Sequence, residues 1–472
     1  MRRLDLERLL ELPVREGVHL VEASAGSGKT WNLSALFLRL VLEGLPVERI
    51  LVVTFTNAAT EELRGRVRER LRACLRRLES GPAKNDGEED ELVARLAARH
   101  GGDPQAPLRL RAALAGMDEA AIHTIHAFCR RVLQEHAFAT RVELDAEILE
   151  DEAEPLRRVA RDWWRARAAE LPERLFAALA AGGGGWDGPD ALLAELAPYL
   201  EREIEVRVPD PRGLDALLAE LEGLAREAAG LAAGEDLERL VETVAGRVVR
   251  QGPFRDEAWK ERALWAAEGF LEGTAAWPRA LTAAAVAAHL KKRPRAEMPD
   301  SPLLALGDRI LACQEALPGA FLREALEGLR ARWAAWRRER GLLTQHDLLE
   351  RVREALDGEG GAALARRLAE RWPVAMVDEF QDTDPVQYAV FERLAQAGQA
   401  QVLIGDPKQA IYAFRGADIH AYLAARRAVP PERRLSLPWN WRSSPAAVAA
   451  VNAIFGAHDN PFALAERIEF EP

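Results

Sequence analysis

Val21-Glu22-Ala23-Ser24-Ala25-Gly26-Ser27-Gly28-Lys29-Thr30 joins an apolar run, Val18–Val21, to a stretch of helical period, Thr30–Leu42. A strand running through small residues into a helix is the setting that a phosphate-binding loop requires. Small side chains let backbone N–H groups converge on phosphate oxygens, and the helix N-terminus adds a favourable dipole. In that reading Ala23, Ser24, Ala25, Gly26, Ser27 and Gly28 line the cradle. Lys29 reaches the β- and γ-phosphates, and the Thr30 hydroxyl holds Mg²⁺. Ala23 stands where many such loops have glycine, so a plain glycine-rich turn remains the alternative on this stretch alone.

The other half of such a site is an acid at the end of a neighbouring strand. Val374–Val377 followed by Asp378-Glu379 provides one. Asp378 is expected to ligate Mg²⁺ largely through water, and Glu379 to polarise the water that attacks the γ-phosphate. Two adjacent carboxylates ending a buried strand are costly unless a cation or hydrogen bonds satisfy them, which argues against accident. Ile50–Phe55 and Gln401–Ile404 also read as short buried strands, and Ala58–Leu75 as a helix. Strands alternating with helices predict an α/β fold on a parallel sheet.

The chain has 472 residues, 48% hydrophobic and 29% charged, as in an ordinary globular protein with more than one core. No apolar run is long enough to span a membrane, and no signal peptide is read at the start, so a cytoplasmic protein is expected. Cys74, Cys129 and Cys313 lie far apart and form no C-x-x-C pair, which argues against a disulfide framework, a zinc ribbon or an iron–sulfur cluster ligated within this chain. The net charge of −11 does not exclude nucleic acid, because phosphate contacts depend on a local groove rather than on the sum. Lysine occurs only at 29, 84, 260, 291, 292 and 408, so the positive charge is nearly all arginine. Arginine suits bidentate phosphate contacts, but a GC-rich genome produces the same bias.

Between about 135 and 340 the sequence turns Ala/Leu/Arg/Glu-rich and helical in period, with breaks at Gly182–Gly185, Pro209–Pro211 and Pro294–Pro302. It reads as a helical insertion splitting one α/β domain. Trp163, Trp164, Trp265, Trp333 and Trp336 lie at helical spacing and are expected mostly in its core, while Asp86–Glu91 is expected as a solvated loop. The resulting layout is 1–135 as the first part of the α/β domain, 136–340 as the insertion and 341–428 as the second part, with 429–472 following it.

Longer phrases carry a family resemblance. D-E-F-Q-D-T-D-P-V-Q (Asp378–Gln387) and G-D-P-K-Q-A-I-Y-A-F-R-G-A-D (Gly405–Asp418) resemble motifs II and III of superfamily 1 helicases of the UvrD/RecB group. V-V-T-F-T-N-A-A-T-E-E-L (Val52–Leu63) is similar to motif Ia, and I-H-T-I-H-A-F-C (Ile122–Cys129) to the T-x-H-x-F-C motif. L-P-W-N-W-R-S (Leu437–Ser443), with Val451-Asn452 after it, resembles motif IV; within the group the likeness is greatest to the RecB-like branch.

The resemblance implies two RecA-like domains with ATP and Mg²⁺ between them and DNA across their tops. Gln409 would sense the γ-phosphate, Trp441 would stack on adenine, and Arg442 would reach the γ-phosphate from the second domain. Phe55, Tyr412 and Phe414 would stack on single-stranded DNA, and Thr56, Asn57, His126 and Arg415 would hold its backbone. The implied partners are single-stranded DNA, duplex DNA ends and RecC-like and RecD-like subunits, with 3′ to 5′ movement in double-strand-break repair.

Two departures qualify this. No Gln precedes Gln105, so the upstream adenine-reading glutamine of many relatives has no counterpart. Motifs V and VI and a nuclease domain are not found before Pro472, so an incomplete second RecA-like domain is expected and this chain alone should turn over ATP poorly. A non-catalytic DNA-binding or assembly subunit with a relict nucleotide site is the rival reading. A small-molecule P-loop kinase is a third, which would not need the aromatic and histidine motifs.

Overall fold

The computed structural model describes residues 2–472 apart from 81–89, 138–146, 150, 182–185, 187, 202–203, 205, 209, 235, 257, 293–295, 412–416, 438, 458–461, 463–467 and 469–472. The chain forms two compact units, residues 1–149 with 341–472, and residues 150–340.

The first unit is built on a parallel sheet. Its strands are β1 (Arg2–Arg3), β2 (Val18–Ala23), β3 (Ile50–Thr54) and β4 (Ile122–Thr124). After β5 (Glu147–Ile148) and β6 (Leu342–Leu343), which pair with each other, come β7 (Val374–Val377), β8 (Ala400–Gly405) and β9 (Arg434–Leu437). The seven-stranded order is β1-β9-β2-β8-β7-β3-β4. All pairings in it are parallel. Side-chain alternation divides each central strand between two cores. Val21, Val52, Met376 and Ile404 pack with the helix Lys29–Leu42 and its neighbours on one face. Leu20, Leu51, Val53, Val377 and Leu403 pack on the other with Phe128, Trp372 and Phe391. This is a three-layer α/β/α unit of RecA-like type, and the turns at the carboxyl ends of β2, β7 and β8 fall side by side.

The four apolar runs read as strands are β2, β3, β7 and β8; β7 matches its run and the ends of the others shift by one or two residues, while the helix expected at Ala58–Leu75 extends over Asn57–Ser80. β1, β4 and β9 are too short to show a periodic pattern. The segment 429–472, read as the opening of a second RecA-like domain, supplies β9 to the first sheet, where Val21 pairs with Leu435 and Ala23 with Leu437. Its apolar residues Leu435 and Leu437 complete the core beside Val21, which a free-standing domain could not do. The expected acidic loop is also shorter than read: Asp90 caps the helix Glu91–His100 by accepting from Leu92 N–H, and Asp86 to Glu89 lie outside the described residues.

The second unit is helical. Its longest helix, Pro302–Arg338, packs against Leu214–Ala232, carries Phe321 into a core with Trp163, and buries Trp333 nearer its C-terminal end. Trp164 is partly buried there, and Trp336 stacks on Trp333 at 5.4 Å between ring centroids. Trp265 departs from the expected core placement and is 70% exposed. The helix Trp259–Glu272 buries Trp259, Ala263, Ala267 and Phe270, and position 265 lies on the opposite side of that stripe. No described helix is long and apolar enough to cross a membrane. All three cysteines are buried and free.

Candidate active site

β2 delivers the loop to the carboxyl edge of the sheet, and Gly28 caps the helix Lys29–Leu42 with no side chain in the way. Gly26 and Gly28 hold φ of +75° and +88°, the left-handed region that glycine enters without a Cβ penalty. The Ser27 N–H bonds to the Ser24 carbonyl at 3.1 Å, curling the loop, while the Ser27 hydroxyl is buried with no hydrogen-bond partner among the described residues.

β7 lies two strands from β2 and brings its two acids to this loop. Lys29 Nζ meets Glu379 Oε2 at 2.5 Å. The Asp378 N–H is held by the Val53 carbonyl at 2.9 Å, which ties the end of β7 to β3. Glu379 has φ of +49°, the one non-glycine residue in the left-handed region among those described. Such a conformation persists only where surroundings over-determine it, and here it turns Glu379 back toward Lys29. Burial, and then the nearby Glu379 charge, push the Asp378 carboxyl up to about 6 against the opposing charge of Lys29. Asp382 is also pushed up to about 6 by burial and then by Glu379. A cluster of three acids facing one ammonium is short of positive charge, which is the condition a bound cation relieves.

β8 adds a third edge. Gln381 donates from Nε2 to Glu379 Oε2 at 2.9 Å, and its Oε1 accepts from the Asp406 N–H at 2.8 Å. Asp406 in turn accepts from Gln409 Nε2 at 2.8 Å and pairs with Lys408 Nζ at 3.1 Å. Gln381, Asp382 and Asp406 were absent from the sequence-based site, although each lies inside a motif already quoted. Their roles depend on which strand ends adjoin, and spacing along the chain does not carry that.

After β9, residues 439–443 cross the cradle. The Trp441 N–H donates to the Gly26 carbonyl at 2.8 Å. Asn440 Oδ1 accepts from the N–H groups of Arg442 and Ser443, both at 2.9 Å, forming a tight turn. A Cβ placed on Gly26 would stand 2.7 Å from Asn440 Oδ1 and from the Arg442 Cβ. Trp441 is 79% exposed, and a Cβ on Gly28 would lie 3.7 Å from the Trp31 Cβ and 3.9 Å from Trp441 Cδ1. Arg442, expected from a second domain, therefore follows a strand of the first sheet and already lies over the loop. Trp31 is a further neighbour of the cradle that sequence reading passed over; an aromatic immediately after Thr30 was the available signal.

The residues expected on DNA are more scattered. Phe55 is half-buried at the end of β3, with Thr56 and Asn57 exposed after it. Thr56 Oγ1 accepts from the Ala59 N–H at 3.1 Å, starting the helix Asn57–Ser80. His126 is half-buried in the first turn of the helix Ile125–Glu135, and burial, then the neighbouring His346, lowers its pKa. Tyr412, Phe414 and Arg415 lie outside the described residues.

Comparison with known proteins places this arrangement. The family model described as UvrD/REP helicase N-terminal domain matches residues 10–430. The chain belongs to that family. It is 37% identical over 491 residues to the RecBCD enzyme subunit RecB of Escherichia coli (strain K12), covering 98% of this chain and 40% of that protein. Against RecB of Haemophilus influenzae the identity is 30%, covering 98% and 41%. Against RecB of Mycolicibacterium smegmatis it is 32%, covering 96% and 31%. The chain thus spans between 31% and 41% of the length of these relatives.

For a UvrD/REP helicase domain the implied ligands are a nucleoside triphosphate and Mg²⁺, and the residues present fit them. The unpartnered Ser27 hydroxyl and the glycine cradle suit phosphate oxygens. Among the described residues no group of three or more His, Cys, Asp or Glu forms a metal cage, so a divalent ion at Thr30 and Asp378 would depend on phosphate oxygens and water, as Mg²⁺ commonly does.

Proposed function

We propose that this chain supplies the first motor domain of an ATP-dependent DNA helicase or single-stranded DNA translocase of RecBCD type, moving 3′ to 5′ on single strands entered from duplex ends, in the cytoplasm with RecC-like and RecD-like partners. The observation that carries the reading is the Lys29–Glu379 contact, which joins the phosphate loop to the acid of a strand that lies some 350 residues away in the chain. In this reading Lys29 and Ser27 bind the phosphates, Glu379 holds and deprotonates the attacking water, and Gln409 and Arg442 read the γ-phosphate. Bound through Thr30 and Asp378, Mg²⁺ would supply neutralisation of phosphate charge. Before nucleotide arrives, Lys29 masks Glu379, so phosphate binding draws the ammonium away and frees the base. Trp441 would stack on the adenine. Phe55, Tyr412 and Phe414 would stack on the strand, at about 1–3 kcal/mol per base, and Thr56, Asn57, His126 and Arg415 would hold its backbone. Residues 150–340 form the insertion of that motor.

The test is ATP turnover by the purified chain with and without a single-stranded oligonucleotide, beside Lys29→Ala. Turnover that rises with DNA and vanishes in the variant supports the reading. Equal turnover in both proteins removes it, and binding of DNA with no nucleotide affinity favours the non-catalytic assembly subunit.

A further inference from the structure

We propose that Gln381 is a positioning residue that couples the base Glu379 to the Asp406–Gln409 segment, so that the state of the γ-phosphate sensor sets the orientation of the base. The inference rests on the nucleotide-hydrolysing reading above. Its basis is that Gln381, buried at 2% exposure, has its amide committed on both sides. Nε2 donates to Glu379 Oε2 at 2.9 Å and, more weakly, to Asp382 Oδ2 at 3.4 Å. Oε1 accepts from the Asp406 N–H at 2.8 Å. A primary amide has two donors and one carbonyl, so no polar atom of Gln381 is idle.

The two groups it joins sit on different strands. Glu379 ends β7 in its left-handed conformation, and Asp406 follows β8. Gly405 allows this approach, since a Cβ there would stand 2.7 Å from Gln381 Oε1 and 3.0 Å from the Gln381 N–H nitrogen. Beyond Asp406 the chain of contacts continues to Gln409 Nε2 at 2.8 Å. Lys29, Glu379, Gln381, Asp406 and Gln409 thus form an unbroken polar line from phosphate loop to sensor. Movement of Gln409 toward a phosphate shifts Asp406, and the amide passes that shift to the Glu379 carboxylate. Buried networks of this kind move together because a half-satisfied member is costly.

The experiment uses the full chain with saturating single-stranded DNA, measuring kcat and KM for ATP. Gln381→Glu keeps shape and the acceptor for Asp406 N–H but replaces the donor facing Glu379 with a like charge. Gln381→Leu removes both ends. The expected result is a kcat at least tenfold lower in each, with KM within about threefold, because the phosphate loop is untouched. Gln409→Ala is then combined with Gln381→Leu. Coupling predicts that the second substitution adds little to the first, a departure from multiplicativity of at least fivefold. Multiplicative losses, or a KM that rises in step with a falling kcat, overturn the proposal and leave Gln381 a packing residue. If Gln381→Leu fails to fold, Gln381→Glu with Gln409→Ala gives the same cycle. Failure of the hydrolysis reading shows separately, as turnover that persists in Lys29→Ala.

Discussion

Gly26→Ala isolates the contact between the phosphate loop and the segment that follows β9. At φ of +75° an alanine pays the left-handed penalty of about 1–2 kcal/mol. Its methyl would also sit 2.7 Å from Asn440 Oδ1 and Arg442 Cβ, so residues 440–442 must move off the loop. That movement sacrifices the Trp441 N–H bond to the Gly26 carbonyl, worth about 1 kcal/mol net. The total is about 2–3 kcal/mol. Gly398→Ala is the matched control, because Gly398 holds φ of +100° with nothing within 4 Å of a new Cβ. It should lose only the backbone contribution. Chemical denaturation of both variants should therefore differ by about 1 kcal/mol, and a fluorescent ATP analogue should bind Gly26→Ala at least tenfold more weakly, about 1.4 kcal/mol, while binding Gly398→Ala normally. Adding Asn440→Ala to Gly26→Ala should recover part of the difference by removing one of the two clashes. Equal stabilities and equal nucleotide affinities in the two glycine variants would refute the placement of residues 440–442 on the cradle.

Lys29→Ala should abolish measurable ATP binding yet cost less than about 1 kcal/mol of stability, since its Glu379 partner is partly exposed; calorimetry with and without nucleotide checks both. His123 is lowered to about 4, chiefly by burial and then by Arg131 and Arg64. Its folded state stays neutral where the unfolded chain binds a proton, so stability is lost as pH falls from about 6.5 toward 4. A shift of that size gives at most about 3 kcal/mol, and nearer 1–2 kcal/mol once solvent screening of the partly exposed ring is allowed for. Replacing His123 by Gln should flatten the denaturation midpoint across that range relative to the parent, and an unchanged pH slope would count against it. Burial pushes the thiols of Cys74 and Cys313 up to about 12 and about 11, and Cys129 higher still. A thiol reagent at pH 8 should therefore leave the native chain unlabelled and modify all three cysteines after denaturation, as mass spectrometry would show.

Much of the central sheet was legible because buried parallel strands are written as short continuous apolar runs between turn residues. Val18–Val21, Ile50–Phe55, Val374–Val377 and Gln401–Ile404 are such runs, and each lies in or overlaps a strand. The edge strands β1, β4 and β9 were not, since two to four residues carry no period. Trp265 shows the same limit in the helical unit: its spacing from other tryptophans is helical, but which face meets the core is settled by Ala263, Ala267 and Phe270. In the site, Lys29, Asp378, Glu379 and Gln409 stand out by chemical type and by their motifs. Gln381 and Asp406 do not, because an amide and an acid beside glycine become partners only when β7 and β8 adjoin.

The order of residues along the chain was enough to specify a glycine-lined cradle on a strand–helix turn and the acids meant to face it, because those features are local and chemical. It took the folded sheet to put Leu435 beside Val21, to turn Glu379 onto Lys29, and to lay Trp441 across Gly26. Those contacts join residues hundreds of positions apart. Strand pairing and burial choose such neighbours by competition among all the apolar segments at once, and no single stretch contains that information.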